Sequence, residues 1–467
     1  MTNMNQIIRR VAAAGTVMVL VGSLAACEGT RHQLLDAATP DLISPSTATS
    51  SDAADALRVG ALARVRNITA GGEGAWMLGG LLTDEWKSSD TFSQRNETDQ
   101  RTVQESNANV QSMYREIHRV RNTAREAINA LKQYKPAPAW GIGQMYFAIA
   151  LAEVELAESF CNGIPLSDAS TGSIVYSAPQ TNAAIYALAK AHLDTALANA
   201  TPATDAGAVA VKNSALILQA RVLVELGQFS AAAAAVTGIP TSFSNLVTTY
   251  SLTSGDNQIW SLNNSAKRWT VGDSMDAAGI IGNAIPFASA GDPRVRVTGS
   301  TLGTSSLGRG FDGSTNFVVQ NNWGRSDGTN IVSGLDARLI EAEAALNAND
   351  INGMMTILNA LRAAPPQIGI NAATAVTPTA MTALATPATQ TAAVDLFFRE
   401  KAFWTFGRGQ RLGDLRRLVR VYGRTQDKVF PVGTFFKGGP YGTDTNFPVT
   451  TDEYNNPNFT GCIDRKS

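Results

Sequence analysis

From Asn107 to Tyr134 apolar residues recur at Val110, Met113, Ile117, Val120, Ala124, Ala127 and Leu131, in alternating steps of three and four. That is the spacing of one helical face. Arg115, Glu116, Arg119, Arg121, Arg125 and Glu126 fall between them and suit a solvated face, while Pro136 and Pro138 stop the helix. The next segment repeats the pattern at Ile142, Met145, Ile149, Ala152, Leu156 and Phe160, with Gly163 and Pro165 as terminators. Two long helices joined by a short Pro turn predict an antiparallel hairpin. Ser214 to Val236 reads as helix, a Leu226-Gly227-Gln228-Phe229 turn, and a second Ala-rich helix. Leu335 to Ala363 reads the same way around Asn347 to Asp350. Small residues on a packing face, a Gly or Asn/Asp turn and a second helix are the form of tetratricopeptide-type hairpins. The units are not consecutive, so they predict hairpins of that type and not a regular solenoid.

Helical periodicity is absent between Gly238 and Gly334. This stretch holds 14 of the 40 Gly and three of the seven Trp, with strand-like pieces at Gln258 to Leu262 and Asn316 to Val319. It predicts loops and short strands inserted among the hairpins, where binding surface is usually carried. Asn371 to Thr391 is an Ala/Thr/Pro-rich piece expected to run over the surface. The fold class is therefore mainly α: helical hairpins with a loop-rich, short-strand insertion face at about 238–334.

Charge and composition narrow the functions. There are 38 Lys+Arg against 39 Asp+Glu, a net charge of -1, which gives no basic excess to hold a polyanion; no nucleic acid partner is expected. With 44% hydrophobic residues the chain can bury a large core. Three Cys, none close to another, exclude a disulfide-dense scaffold and a CxxC zinc site. His32, His118 and His192 fall in unrelated settings, so neither a metal nor another cofactor is expected.

Arg9 and Arg10 precede an apolar run from Val11 to Leu24 that ends in Leu24-Ala25-Ala26-Cys27. Positive start, apolar middle and small residues before a cut describe a secretory signal, and the run is shorter than the ~20 apolar residues of a membrane span. Leu-Ala-Ala-Cys resembles the bacterial lipobox, in which the thiol is lipidated and becomes the new N-terminus. Residues 1–26 are then a lipoprotein signal peptide, 27–50 a lipidated tether and 51–467 the helical domain. Acyl chains on Cys27 would hold that domain at a membrane, at about 0.8 kcal/mol per buried methylene. Cys161 and Cys462 remain as an even pair in an oxidising compartment. They are expected to form a disulfide that pins the C-terminal tail to a helix end, two buried free thiols being the alternative.

Four groups of residues resemble the SusD/RagB family of bacterial surface nutrient-binding lipoproteins. Cys27 is followed by Leu34-Leu35-Asp36 and Pro40. The hairpin carrying Tyr114, Arg119, Asn122, Ala124 and Ile128, with its partner ending Glu155-Leu156-Ala157-Glu158-Ser159-Phe160, precedes Gly163-Ile164-Pro165. Arg399-Glu400-Lys401-Ala402-Phe403 leads to Gly407-Arg408 and Arg411-Leu412-Gly413-Asp414-Leu415-Arg416-Arg417. Phe447-Pro448-Val449 is followed by Glu453 and Asn456-Pro457-Asn458. Gly413 where an aromatic is common, and Thr450 in place of a second Pro, depart from the family pattern. The resemblance implies one helical domain anchored at the outer membrane and exposed at the cell surface. It also implies a partner, a SusC-like TonB-dependent transporter, to which an oligosaccharide or other nutrient ligand is delivered.

A glycan site needs flat aromatic faces for sugar rings and amides or carboxylates for hydroxyls. Trp260, Trp269 and Trp323, with Asn263, Asn264, Asn321 and Asn322, supply that combination, and Trp86 beside Asp84, Glu85 and Lys87 is a further candidate. Each Trp could instead cover a core, as Trp404 among Phe397, Phe398, Phe403 and Phe406 is expected to do. Arg411, Arg416, Arg417, Arg420 and Arg424 are read as structural, paired with Asp414 and Glu400. Gly308-Arg309-Gly310-Phe311-Asp312-Gly313 fits GxGxxG by letter but lies in a Ser/Gly/Thr stretch with no strand before it and no helix after it, so it carries no nucleotide reading. Asp444 and Asn446 lack the loop geometry of a calcium site. No GxSxG or HExxH motif is present, so an enzyme is not expected. Adjacent carboxylates such as Asp84 and Glu85 point in different directions, which leaves a glycoside hydrolase as the weaker alternative. A helical scaffold lipoprotein that binds no small ligand is the other; buried Trp260, Trp269 and Trp323 would favour it.

Overall fold

The computed structural model describes residues 48–465 apart from 172, 248, 249 and 252. Cys27, His32 and the signal segment lie outside the described residues. Helices α1 (Ser51–Ile68), α2 (Ala75–Leu82) and α3 (Ser93–Asp99) lead into α4 (Ala108–Tyr134) and α5 (Trp140–Ser159). The Asn107 side chain caps α4 by accepting from the amides of Asn109 and Val110 at 3.0 and 3.1 Å, which satisfies donors that have no partner inside the helix. All seven periodic apolar residues of α4 are buried. Helix α5 is buried almost all round because it packs against α1, α4, α6 (Asn182–Asn199) and α7 (Ala206–Glu225).

The hairpins α7 with α8 (Phe229–Val236) and α9 (Gly334–Asn347) with α10 (Ile351–Ala363) follow the predicted turns. Helix α7 begins eight residues before the periodic segment: Ala-rich on several faces, it packs on α6, α8 and α9 and shows no polar stripe. It is apolar enough to cross a membrane by composition, yet 61% of that window is buried in the helical body.

Two long-range strand pairs order the loop-rich segment, the first tying it to the chain before α3 and the second closing it on itself. β1 (Trp86–Ser88) pairs antiparallel with β3 (Trp269–Val271), placing Trp86 opposite Val271 and Ser88 opposite Trp269. β2 (Ser244–Val247) pairs with β4 (Thr329–Ser333), which runs into α9 through a Ser333 and Asp336 capping box. The piece Gln258 to Leu262, expected as a strand, is helical and enters a π-helical turn at Trp260–Ser265. Asn257 accepts from the Ile259 amide at 3.0 Å and starts that turn. The Ala/Thr/Pro piece opens on a hairpin (Gly369–Asn371 with Thr374–Val376), and its Met381 and Leu384 pack against the core.

The C-terminal tail returns to the end of α5, where a disulfide joins Cys161 to Cys462 with 6.0 Å between Cα atoms. Beside it Cys161 donates to the Phe447 carbonyl at 2.9 Å and Phe447 to that of Ser159 at 2.8 Å.

Helices α11 (Gln390–Thr405) and α12 (Arg411–Arg420) close the body with charge where a core is usually apolar. Arg411 holds Asp84 through two bonds of 2.7 and 2.8 Å, and Arg416 donates to the carbonyls of Ala157, Glu158 and Phe160 at the α5 terminus. Arg417 joins Glu343, Glu225 and Asp414. The structural reading of these arginines therefore stands, with Asp414 as an expected partner of Arg417, but Glu400 pairs with Arg294 and Arg362 instead.

Candidate functional site

The expected tryptophan platform is not a surface. Trp86 and Trp269 are 0% exposed and Trp323 is 1% exposed. Trp86 meets Trp269 edge-on with centroids 6.4 Å apart and lies 5.0 Å from Phe406. Gly407 turns there at φ +69, a conformation that favours glycine, and a Cβ on it would press within 3.1 Å of Trp323. The indole nitrogens of all three Trp have no hydrogen-bond partner among the described residues. An indole gains more by leaving water than by waiting at a surface, and the loop-rich segment folds back far enough to cover all three. Trp260 is half-buried, with the Arg325 guanidinium 5.4 Å from its ring.

The amides are also occupied. Asn322 is buried, donating to the Arg294 carbonyl at 2.9 Å and accepting from the Arg296 amide at 3.2 Å. Asn263 bonds the carbonyls of Trp269 and Val318 and the amide of Gln320, at 2.8, 2.9 and 2.8 Å. Asn264 donates to the Gln320 carbonyl at 2.9 Å. Half-buried Asn321 donates to the Thr298 hydroxyl at 2.8 Å. These side chains take the place of strand ladders in a segment too irregular to satisfy its own backbone.

The hydrolase candidates are sequestered as well. Asp84 accepts from Arg411 and from the Ile285 amide at 2.9 Å. Glu85 accepts from the Gly407 amide at 2.9 Å, and burial pushes its carboxyl up to about 8. Neither reaches solvent. His192 donates to the Glu153 carboxylate at 2.8 Å, and half-buried His118 lies 4.5 Å from the Tyr114 ring, its basicity lowered by desolvation and by Arg121 and Arg125.

What the loop-rich face does present is a pair of phenylalanines. Phe92, at the start of α3, is 51% exposed and Phe311 is 50% exposed. Between them lies the Arg268 guanidinium, 4.9 Å from the first ring and 3.8 Å from the second. Arg268 is fixed in turn by Asp90 at 2.8 Å, which also pairs with Arg95. Burial raises the Asp90 carboxyl, but its bonds from Arg268 and Arg95 outweigh that and keep it below the usual range.

Phe311 sits in the literal GxGxxG, whose structural purpose is a tight loop. Gly308 and Gly313 take φ of +79 and +69, and a Cβ on Gly310 would come within 2.4 Å of Ser89, which is how the loop can lie against the end of β1. Phe311 donates to the Lys267 carbonyl at 2.8 Å and Asp312 to that of Ser89 at 3.0 Å. Burial works against Asp312, yet its bonds from Lys437 and Thr315 hold its carboxyl at about 2. The two rings are thus mounted on cross-braced loops and can offer flat faces beside a row of cations. Sequence reasoning missed Phe92, Arg268 and Phe311; the signal available was a single aromatic inside each of two runs of Ser, Asp and Gly.

No protein-family model and no curated protein matches the chain. Solved structures do. A SusD superfamily protein from Bacteroides fragilis superposes with a TM-score of 0.61 at 15% identity, covering 88% of this chain and 99% of that one. One from Bacteroides thetaiotaomicron gives 0.60 at 13% identity, covering 89% and 100%. The fold is that of the SusD superfamily. A SusD-like carbohydrate-binding protein from Bacteroides vulgatus is similar over 79% of this chain and 83% of its own, with a TM-score of 0.51 at 12% identity. The likeness is one of fold. At such identities it says nothing about which side chains meet a ligand.

Proposed function

We propose that the protein is a non-catalytic nutrient-binding lipoprotein that captures an oligosaccharide on the loop-rich face and passes it to a SusC-like TonB-dependent transporter of the outer membrane. The observation that carries this reading is the exposed Phe92 and Phe311 pair clamped about Arg268. Sugar rings have apolar C–H faces and polar rims, and two flat rings beside fixed donors match both. The SusD-like fold supports the same reading, and the carbohydrate-binding neighbour does so by likeness. Burial of Trp269 and Trp323, though not of the half-buried Trp260, favours a second reading, a scaffold lipoprotein without a small ligand.

Titration calorimetry with a panel of oligosaccharides separates the two. Phe92→Ala and Phe311→Ala are each expected to weaken binding about tenfold, corresponding to about 1.4 kcal/mol, with an unchanged melting temperature. No saturable heat with the native chain supports the scaffold, and affinity undiminished in both variants refutes the phenylalanine rim as the binding site. The anchor has its own test. Cys27→Ala is expected to move the protein from the membrane to the soluble fraction, and retention in the membrane would refute lipid attachment at that thiol.

A further inference from the structure

A cavity lies in the helical body, lined by residues of α1, α5, α7, β2 and β4 and independent of the Phe92 and Phe311 rim. Its volume is about 340 Å³, within the range of small-molecule sites. Val65, Phe147, Ala148, Val211 and Ile331 make a buried apolar floor. The half-buried Trp140 ring forms one wall, and Gly207 leaves it room, since a Cβ there would meet the indole at 2.5 Å. Ala210 stands exposed at the lip.

The charged groups near the cavity are already engaged, and the Arg58 guanidinium lies 5.6 Å from the Trp140 ring centroid. Arg58 bonds Asp55 at 2.8 Å, Lys135 shares that carboxylate at 3.2 Å, and the carboxylate of Asp205 caps α7 by accepting from the Ala208 amide at 2.9 Å. Two amides are only half used. The Gln144 oxygen accepts from Arg58 at 2.6 Å, and the Asn245 nitrogen donates to the Ser214 hydroxyl at 2.9 Å. Among the described residues, no partner bonds the Gln144 amide nitrogen or the Asn245 carbonyl oxygen. One spare donor and one spare acceptor above an apolar floor match a group that both accepts and donates.

We infer that this cavity binds a small uncharged amphiphile, an apolar ring or chain ending in a hydroxyl or amide, with the apolar body against Phe147 and Trp140 and the polar end at Gln144 and Asn245. A charged ligand is not called for, because Arg58 and Lys135 are already held by Asp55, and desolvating an ion without a free counterpart is costly.

The test is calorimetric titration of the full chain with 4-ethylphenol, ethylbenzene and 4-ethylbenzoate. The expected result is saturable binding of 4-ethylphenol, at least fivefold weaker binding of ethylbenzene, and none of 4-ethylbenzoate. Ala210→Trp closes the lip from an exposed position and is expected to weaken 4-ethylphenol at least tenfold while oligosaccharide binding at the rim is unchanged. Gln144→Met, which keeps the volume and removes the amide, is expected to abolish the preference for 4-ethylphenol over ethylbenzene. No saturable binding of 4-ethylphenol, tighter binding of 4-ethylbenzoate, or full 4-ethylphenol affinity in a folded Ala210→Trp protein overturns the proposal. Any of these leaves the reading of the rim untouched.

Discussion

Arg417→Ala is expected to destabilise the protein by about 3–5 kcal/mol, read as a fall in the denaturant midpoint. The guanidinium donates to Glu343 at 2.6 and 2.9 Å and to Asp414 at 2.7 Å, and it also holds Glu225. All four residues are buried. Removing the cation leaves three carboxylates with too little positive charge, and only Lys401 and Arg420 remain to share them. A buried pair adds little by existing and costs much when halved. The same cluster sets a pH response. Burial raises the carboxyls of Glu225 and Asp414, but the cations around them, Arg417 and Arg420 for the first and Lys401 and Arg417 for the second, bring both below their ordinary values. Their contribution is complete above the ordinary carboxylate range and is lost as the pH falls through the depressed native values. Acid should therefore destabilise the native protein more steeply than the variant, in which that contribution is already missing. A variant as stable as the native protein at neutral pH would show that the cluster is not a structural brace.

Trp269→Ala is expected to cost a similar amount, about 3–5 kcal/mol, because a fully buried indole leaves a void that the strand pair around it cannot collapse to fill. Phe311→Ala, by contrast, removes a ring that is half in water and should leave stability nearly unchanged. Thermal unfolding of the two variants side by side is decisive. A stable Trp269→Ala protein that loses ligand would restore the indole platform and displace the phenylalanine rim.

Legibility followed periodicity. Helix α4 could be read to within a residue at its start, since 27 residues of strict amphipathic spacing lie between an Asn cap and a Pro stop. Helix α7 was legible only in its second half, because alanines on several faces erase the polar stripe that marks a boundary. Gln258 to Leu262 was misread because a short apolar run has no period of its own; the Asn257 cap settles it as helix. The tryptophans were misplaced for a different reason. Loop character says that a segment lacks regular structure, not that it faces water, and here the Asn263 and Asn322 side chains satisfy the backbone well enough for the loops to bury their indoles. The rim could not be read at all, because it forms only when the segments around residues 90, 268 and 311 meet through Asp90 and the Lys267 carbonyl.

Capture without reaction is the central claim, and one measurement addresses both halves of it. The native chain and a Phe92→Ala, Phe311→Ala double variant are titrated with the same oligosaccharide, and the sugar is then recovered and sized by mass spectrometry. Saturable binding by the native chain, its loss in the double variant and a ligand of unchanged length are the predicted results. Shortened sugar, or undiminished binding by the double variant, would contradict the account.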